Sequence, residues 1–250
     1  SRVQSVFEPE VSDSAKVSIT RMAGRYLALA ETPIQVEFDL GTLGTAGVFL
    51  YEDAPVSGQM TTVHPQFDAS EGATYNLVTR YHAVSHYRLY RVGGAGERKL
   101  VGQTASLRPA YMHSFGMTKR YAIFTEFPLR VNPLNLLLWL KPYIENFQWE
   151  PGRGTPMYVL DRHTGELAAR FEADPFFAFH HVNAWEEGDE VVFDIDAYED
   201  ASIIDQWFLD RMRTGEERLQ FGRLRRYRLP LKGKRRVEWE LLSDECAELA

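Results

Sequence analysis

The side chains best placed to do chemistry near neutral pH are the seven histidines: His64, His82, His86, His113, His163, His180 and His181. An imidazole can ligate a metal or carry a proton in that range. Three of the contexts are unusual: Val63-His64-Pro65, Tyr111-Met112-His113-Ser114-Phe115-Gly116, and Phe179-His180-His181-Val182-Asn183-Ala184-Trp185-Glu186-Glu187. Each histidine is flanked by apolar or small residues beside a β-rich stretch. Taken singly, each reads either as a hydrogen-bonded core or turn histidine or as a ligand, and their wide separation matches no local motif such as His-Glu-x-x-His. Other chemical templates are missing from the chain. There is no G-x-S-x-G elbow, no Walker loop and no G-x-G-x-x-G after a strand, and Gly93-Gly94-Ala95-Gly96 reads as a hairpin loop. No pair of carboxylates stands out as a glycosidase couple.

The elements that must position these histidines repeat with a period of two. Lys16 to Thr20, Tyr26 to Ala30, Gln35 to Phe38, Tyr75 to Arg80, Tyr87 to Tyr90, Tyr121 to Thr125, Met157 to Leu160, Val191 to Ile195, Leu224 to Leu229 and Val237 to Leu241 are short and rich in β-branched or aromatic residues. Turn signals such as Ala23-Gly24, Thr164-Gly165 and Gly188-Asp189 separate them. So many short strands predict an all-β sandwich, barrel or propeller. Ser202 to Arg213 is different: Ile203, Ile204, Trp207, Phe208 and Met212 fall at helical spacing, which predicts one amphipathic helix on a loop. The 250 residues are treated as a single domain. A net charge of −7 argues against binding nucleic acid through a basic field. A single cysteine, Cys246, excludes an internal disulfide or a thiolate cage and favours a reducing, cytoplasmic setting. No run approaches the ~18 apolar residues of a membrane span.

Together, the three histidine contexts resemble the carotenoid cleavage oxygenase family, which includes carotenoid, apocarotenoid and stilbene dioxygenases and retinoid isomerases on a seven-bladed β-propeller. The resemblance rests on Val63-His64-Pro65 followed by an acidic turn and Tyr75-Asn76; on His113 to Gly116 followed by Glu126-Phe127-Pro128; and on Phe179 to Glu187. It implies that His64, His113 and His180 are iron(II) ligands, with His180 preferred to its neighbour His181. It further implies that Glu31 hydrogen-bonds a ligand imidazole, and a carboxylate in that place fixes the tautomer and aims the lone pair at the metal. The family's fourth iron histidine and two further glutamates belong to sequence beyond Ala250. The chain is therefore expected to be a partial propeller, its N-terminal and middle blades.

The expected activity of the full-length form is non-haem Fe(II) dioxygenase chemistry, in which O2 cleaves one conjugated C=C bond of a carotenoid or apocarotenoid into two carbonyl products. Imidazole ligands suit iron, although affinity alone does not select it over copper or zinc. Stilbene-cleaving members tend to carry a phenol-binding lysine beside the glutamate matched to Glu31; here the neighbours are Ala30 and Thr32, which tilts the substrate toward an apolar polyene. Stilbene cleavage remains the alternative, as does an inactive propeller fragment or binding module. Phe115, Phe177 and Phe179 are candidates both for the substrate tunnel and for core packing. Leu136, Leu137, Leu138 and Trp139 read either as a peripheral membrane patch at the tunnel mouth or as a buried segment crossing between blades.

Overall fold

The computed structural model describes residues 15–51, 59–138, 141–215, 220–233 and 236–247. Nineteen strands fall into four antiparallel blades and one small hairpin. The first blade runs in sequence order, β1 (Ser18–Met22), β2 (Arg25–Leu29), β3 (Gln35–Phe38) and β4 (Thr45–Phe49). In the second, β5 (Gln59–Thr61) and β6 (Gln66–Asp68) both pair with β7 (Ala73–Arg80), followed outward by β8 (Ser85–Val92) and β9 (Arg98–Ser106). The third blade is β10 (Gly116–Met117), β11 (Tyr121–Thr125), β14 (Thr155–Asp161) and β15 (Leu167–Ala173). Inserted between β11 and β14 is a hairpin of β12 (Leu129–Val131) and β13 (Phe147–Trp149), with helix α1 (Pro133–Leu138) and a 3₁₀ turn (Tyr143–Asn146) between its strands. The fourth blade is β16 (His181–Glu187), β17 (Glu190–Ala197), β18 (Gly222–Pro230) and β19 (Glu238–Ala247). These four- and five-stranded antiparallel sheets are the blades of a partial β-propeller, as the strand count and turn density predict.

Strand position within a blade follows from residue type. Every residue of β11 and β14 is buried, and so are all but one in β7 and in β17. Such apolar runs can only be central strands covered on both faces. The outer β9 and β15 alternate and carry lysine, arginine, glutamate or glutamine toward solvent, a charged edge of the kind that discourages further pairing. The largest core lies between the third and fourth blades and includes Phe127, Phe176, Phe177, Phe193 and Tyr227. A smaller one, with Tyr75, Leu89, Phe115 and Phe124, joins the second and third.

Two predicted segments come out differently. Ser202 to Arg213 is not one helix but two, α2 (Ser202–Gln206) and α3 (Leu209–Thr214), because Phe208 takes an extended conformation (φ −65°, ψ 136°) between them. Leu136, expected in the apolar patch, is buried in the large core. It therefore packs and does not face a membrane. Leu134, two residues earlier, is 57% exposed. The side chains of Leu137 and Leu138, and the whole of Trp139, lie outside the described residues. Among those described, no helix is long and apolar enough to cross a membrane.

Candidate metal centre

Each blade contributes one residue to a common point. Glu31 lies in the loop between β2 and β3, His64 between β5 and β6, His113 just before β10, and His180 just before β16. Loops at one end of a rigid stack of strands can converge in space while remaining distant in sequence, which explains why the histidine spacing matches no local motif. The three imidazole rings form a nearly equilateral triangle, with centroids 5.0 Å (His64–His113), 4.9 Å (His64–His180) and 5.0 Å (His113–His180) apart. One ring nitrogen from each lies within 4.8 Å of the others, and His64 Nε2 and His113 Nε2 are 3.2 Å apart. Two imidazole nitrogens about 90–110° apart around an ion at ~2.1 Å would stand ~3.0–3.4 Å apart, the separation of the His64 and His113 nitrogens, and the His180 ring completes a three-imidazole donor set of the type that holds a metal ion.

Two of the three rings, His64 and His180, are held in the neutral form that ligation requires. Burial, then the charge of His113, lowers the His64 pKa to about 4. Burial, then the charges of His113 and His64, lowers that of His180 to about 4. His113 Nδ1 donates to Glu31 Oε1 at 2.7 Å. With that proton on Nδ1, the lone pair of His113 is on Nε2, facing the other two rings. The Tyr111 hydroxyl donates to the same carboxylate oxygen, and its ring stacks on His113 at 29°.

His180 and His181 are adjacent but differently placed. His180 joins the triangle, whereas His181 turns into the core. There its Nδ1 donates to Ser114 Oγ at 3.0 Å and its Nε2 accepts from Thr125 Oγ1 at 3.1 Å. Ser114 Oγ in turn donates to the Phe179 carbonyl (2.6 Å) and accepts the His181 amide (2.8 Å). Burial lowers the His181 pKa to about 3, and both its nitrogens are engaged. His181→Ala is thus expected to reduce unfolding free energy by ~1–3 kcal/mol through the hydrogen bonds left unmade, with metal affinity per folded molecule retained. His180→Ala should do the reverse. Calorimetry paired with metal titration separates the two, and loss of binding with intact stability in His181→Ala would exchange the assignments.

Two cavities flank the triangle. One, of about 220 Å³, brings Ser18 and Thr20 of β1 beside His64 and His180. The other, of about 230 Å³, is mostly aromatic and is lined by Glu31, Tyr111, Tyr143, Phe179, Trp207 and Phe208 among others. Of the three phenylalanines proposed for a tunnel wall, only Phe179 lines it, stacked on Trp207 at 5.0 Å and 8° and edge-on to His113 at 5.5 Å. Phe177 is fully buried behind Phe179. Phe115 is fully buried in the core between the second and third blades, with Tyr75, Leu89 and Phe124, and does not line the cavity. Sequence reasoning missed Tyr111, Tyr143, Trp207 and Phe208. The one local signal was the position of Tyr111, two residues before a candidate ligand, which places both on one face.

An all-β protein built from propeller blades, with a partly buried three-imidazole cluster at their convergence, defines the class. The family model for the retinal pigment epithelial membrane protein, RPE65, matches residues 2–250. Carotenoid cleavage dioxygenase 8 homolog A from Oryza sativa is 36% identical over 234 residues, spanning 88% of this chain and 41% of the rice protein. The mitochondrial carotenoid-cleaving dioxygenase of Macaca fascicularis is 32% identical, over 84% of this chain and 40% of its own length. Cobalt-substituted Synechocystis ACO superposes with a TM-score of 0.77 at 25% identity, covering 98% of this chain and 52% of that one. The chain belongs to the RPE65 family of carotenoid oxygenases, and it spans about two fifths of the length of these two dioxygenase relatives.

Proposed function

We propose that the protein to which this chain belongs is a non-haem iron(II) dioxygenase that cleaves one conjugated C=C bond of a carotenoid or apocarotenoid. The observation that carries this reading is the triangle of His64, His113 and His180 imidazoles beside an aromatic cavity. These three histidines would hold the iron, and the family pattern supplies a fourth from sequence beyond residue 250. The bound iron would supply activation of O2; both oxygen atoms end in the two carbonyl products, so the reaction balances without a further reductant.

The chain's own residues account for the rest. Glu31 fixes the His113 tautomer, and Tyr111 holds the Glu31 carboxylate in place. Phe179 and Trp207 present flat faces on which a planar polyene can stack. No carboxylic acid or lysine is needed as an acid–base group, since the histidines act as ligands. Peripheral membrane contact near α1 would let an apolar substrate pass directly into the cavity. Leu137→Ser with Trp139→Ser is expected to reduce liposome co-sedimentation.

The test is to express the full native polypeptide, load it with Fe(II) under argon, and supply O2 with a β-apocarotenal or with resveratrol. Aldehyde products from the apocarotenal are expected. Cleavage of resveratrol alone would move the assignment to stilbenes. Cleavage of neither would favour a binding module.

A further inference from the structure

The aromatic cavity beside the histidines is not the end of the apolar path. A larger cavity of about 500 Å³ adjoins it, and the two share Ile144, Ile204 and Phe208 as a common wall. Ligand sites of this kind typically occupy ~300–1,000 Å³, apolar with a few convergent polar groups. The larger cavity has an apolar floor that includes the buried Leu129 and Phe147. Its mouth carries Lys141, Glu145, Asp200 and Asp205, of which Lys141, Glu145 and Asp205 are exposed. Asp200 Oδ1 accepts the Ser202 amide at 2.9 Å, which steadies this carboxylate at the start of α2.

We propose that this outer cavity seats a hydroxyl-bearing end of the polyene whose conjugated body lies in the aromatic cavity beside the histidines. The inference rests on the carotenoid-cleaving reading above and specifies its substrate class. A purely hydrocarbon end would strip water from these charges and return no hydrogen bond. A carboxylate end would meet three carboxylates and one ammonium, a net repulsion. A hydroxyl suits the mixed rim, because it can accept from Lys141 and donate to Asp205 or Asp200.

The experiment uses the full native polypeptide with two ligands, a β-apocarotenal carrying a ring hydroxyl and its unhydroxylated counterpart. Affinity is read from quenching of tryptophan fluorescence, to which Trp149 in the outer cavity and Trp207 in the inner one contribute. The hydroxylated ligand is expected to bind about 3- to 10-fold more tightly, the range of one or two net hydrogen bonds. In the double variant Lys141→Leu, Asp205→Leu, that ratio should fall toward 1. Both positions are on the surface, so the folded state should survive, as far-UV circular dichroism will check. Equal binding of the two ligands, or a preference that the double variant leaves intact, would overturn this inference while leaving polyene cleavage standing. Failure of either ligand to bind or be cleaved would overturn both readings together.

Discussion

Replacing Glu31 with glutamine should lower divalent metal affinity by about 10- to 100-fold, and replacing His113 with alanine should reduce it to that of a two-histidine site. Cobalt(II) is a suitable probe, because its visible absorption reports coordination and the ion does not consume oxygen. The effect traces to a single oxygen atom. Glu31 Oε1 accepts from His113 Nδ1 at 2.7 Å and also from the Tyr111 hydroxyl. A negative oxygen holding the Nδ1 proton raises the basicity of the opposite nitrogen and stops the ring from turning over. Glutamine keeps the shape and loses the charge, and its NH2 group can present a donor where an acceptor is needed. Tyr111→Phe leaves the charge in place but frees the carboxylate to rotate, so its effect should be smaller than that of Glu31→Gln and in the same direction. No other carboxylate is hydrogen-bonded to His113 among the described residues. Wild-type cobalt affinity and an unchanged spectrum in Glu31→Gln would remove the carboxylate from the centre.

The readable part of this protein was its apolar, central half. Tyr121 to Thr125, Met157 to Leu160 and Val191 to Ile195 announce themselves as strands because both faces are buried and the residues are correspondingly β-branched or aromatic. Several outer strands were not announced, although β1 and β19 were. Arg98–Ser106 and Leu167–Ala173 are in contact with solvent, so their composition is that of loops, and only pairing to an inner neighbour makes them strands. Thr45–Phe49 and His181–Glu187 were hidden for the same reason. The three histidines were legible only through their neighbours, since convergence from three blades leaves no periodic trace. The cavity wall was least legible. Phe115, Phe177 and Phe179 are chemically identical and lie close to the candidate ligands, yet backbone direction sends only the last into the cavity. Trp207 and Phe208 arrive from the break between two helices, a break that a 3.6-residue apolar period had concealed.

The second large effect is expected at the joint between the second and third blades, where Arg162→Leu should cost about 3–5 kcal/mol of stability. The turn joining β14 to β15 is inserted into the neighbouring blade. The Arg162 side chain is 1% exposed, pairs with Asp68 and with Glu71 (3.2 Å), donates to the Lys119 carbonyl at 2.7 Å, and stacks over Tyr75 at 4.6 Å. Leucine fills part of the volume but leaves two carboxylates facing each other across a site built for a cation. Three residues on, the same turn approaches so closely that a Cβ at Gly165 would lie 2.0 Å from the Val101 carbonyl, and one at Gly102 would lie 2.3 Å from that of Gly165. Gly165 also has φ +78°, in the left-handed region that favours glycine. The ionic and steric halves of the joint therefore need each other: the backbones can meet only without side chains, and the guanidinium reaches its carboxylates only when they do. Hydrogen bonds from Ser70 and Arg162 hold the Asp68 carboxyl well below the usual carboxylate range. A carboxylate depressed in the folded state contributes stability that is fully present above its unfolded value near ~4 and is lost as the pH falls through the lower folded value. The parent should accordingly lose stability steeply on acidification below about pH 4, and Arg162→Leu should flatten that slope as well as lower its plateau. At ~2–4 °C per kcal/mol for a chain of this size, the melting temperature at pH 7 should fall by roughly 6–20 °C. A variant that melts with the parent at pH 7 and follows the same acid profile would show that the blades are held together elsewhere.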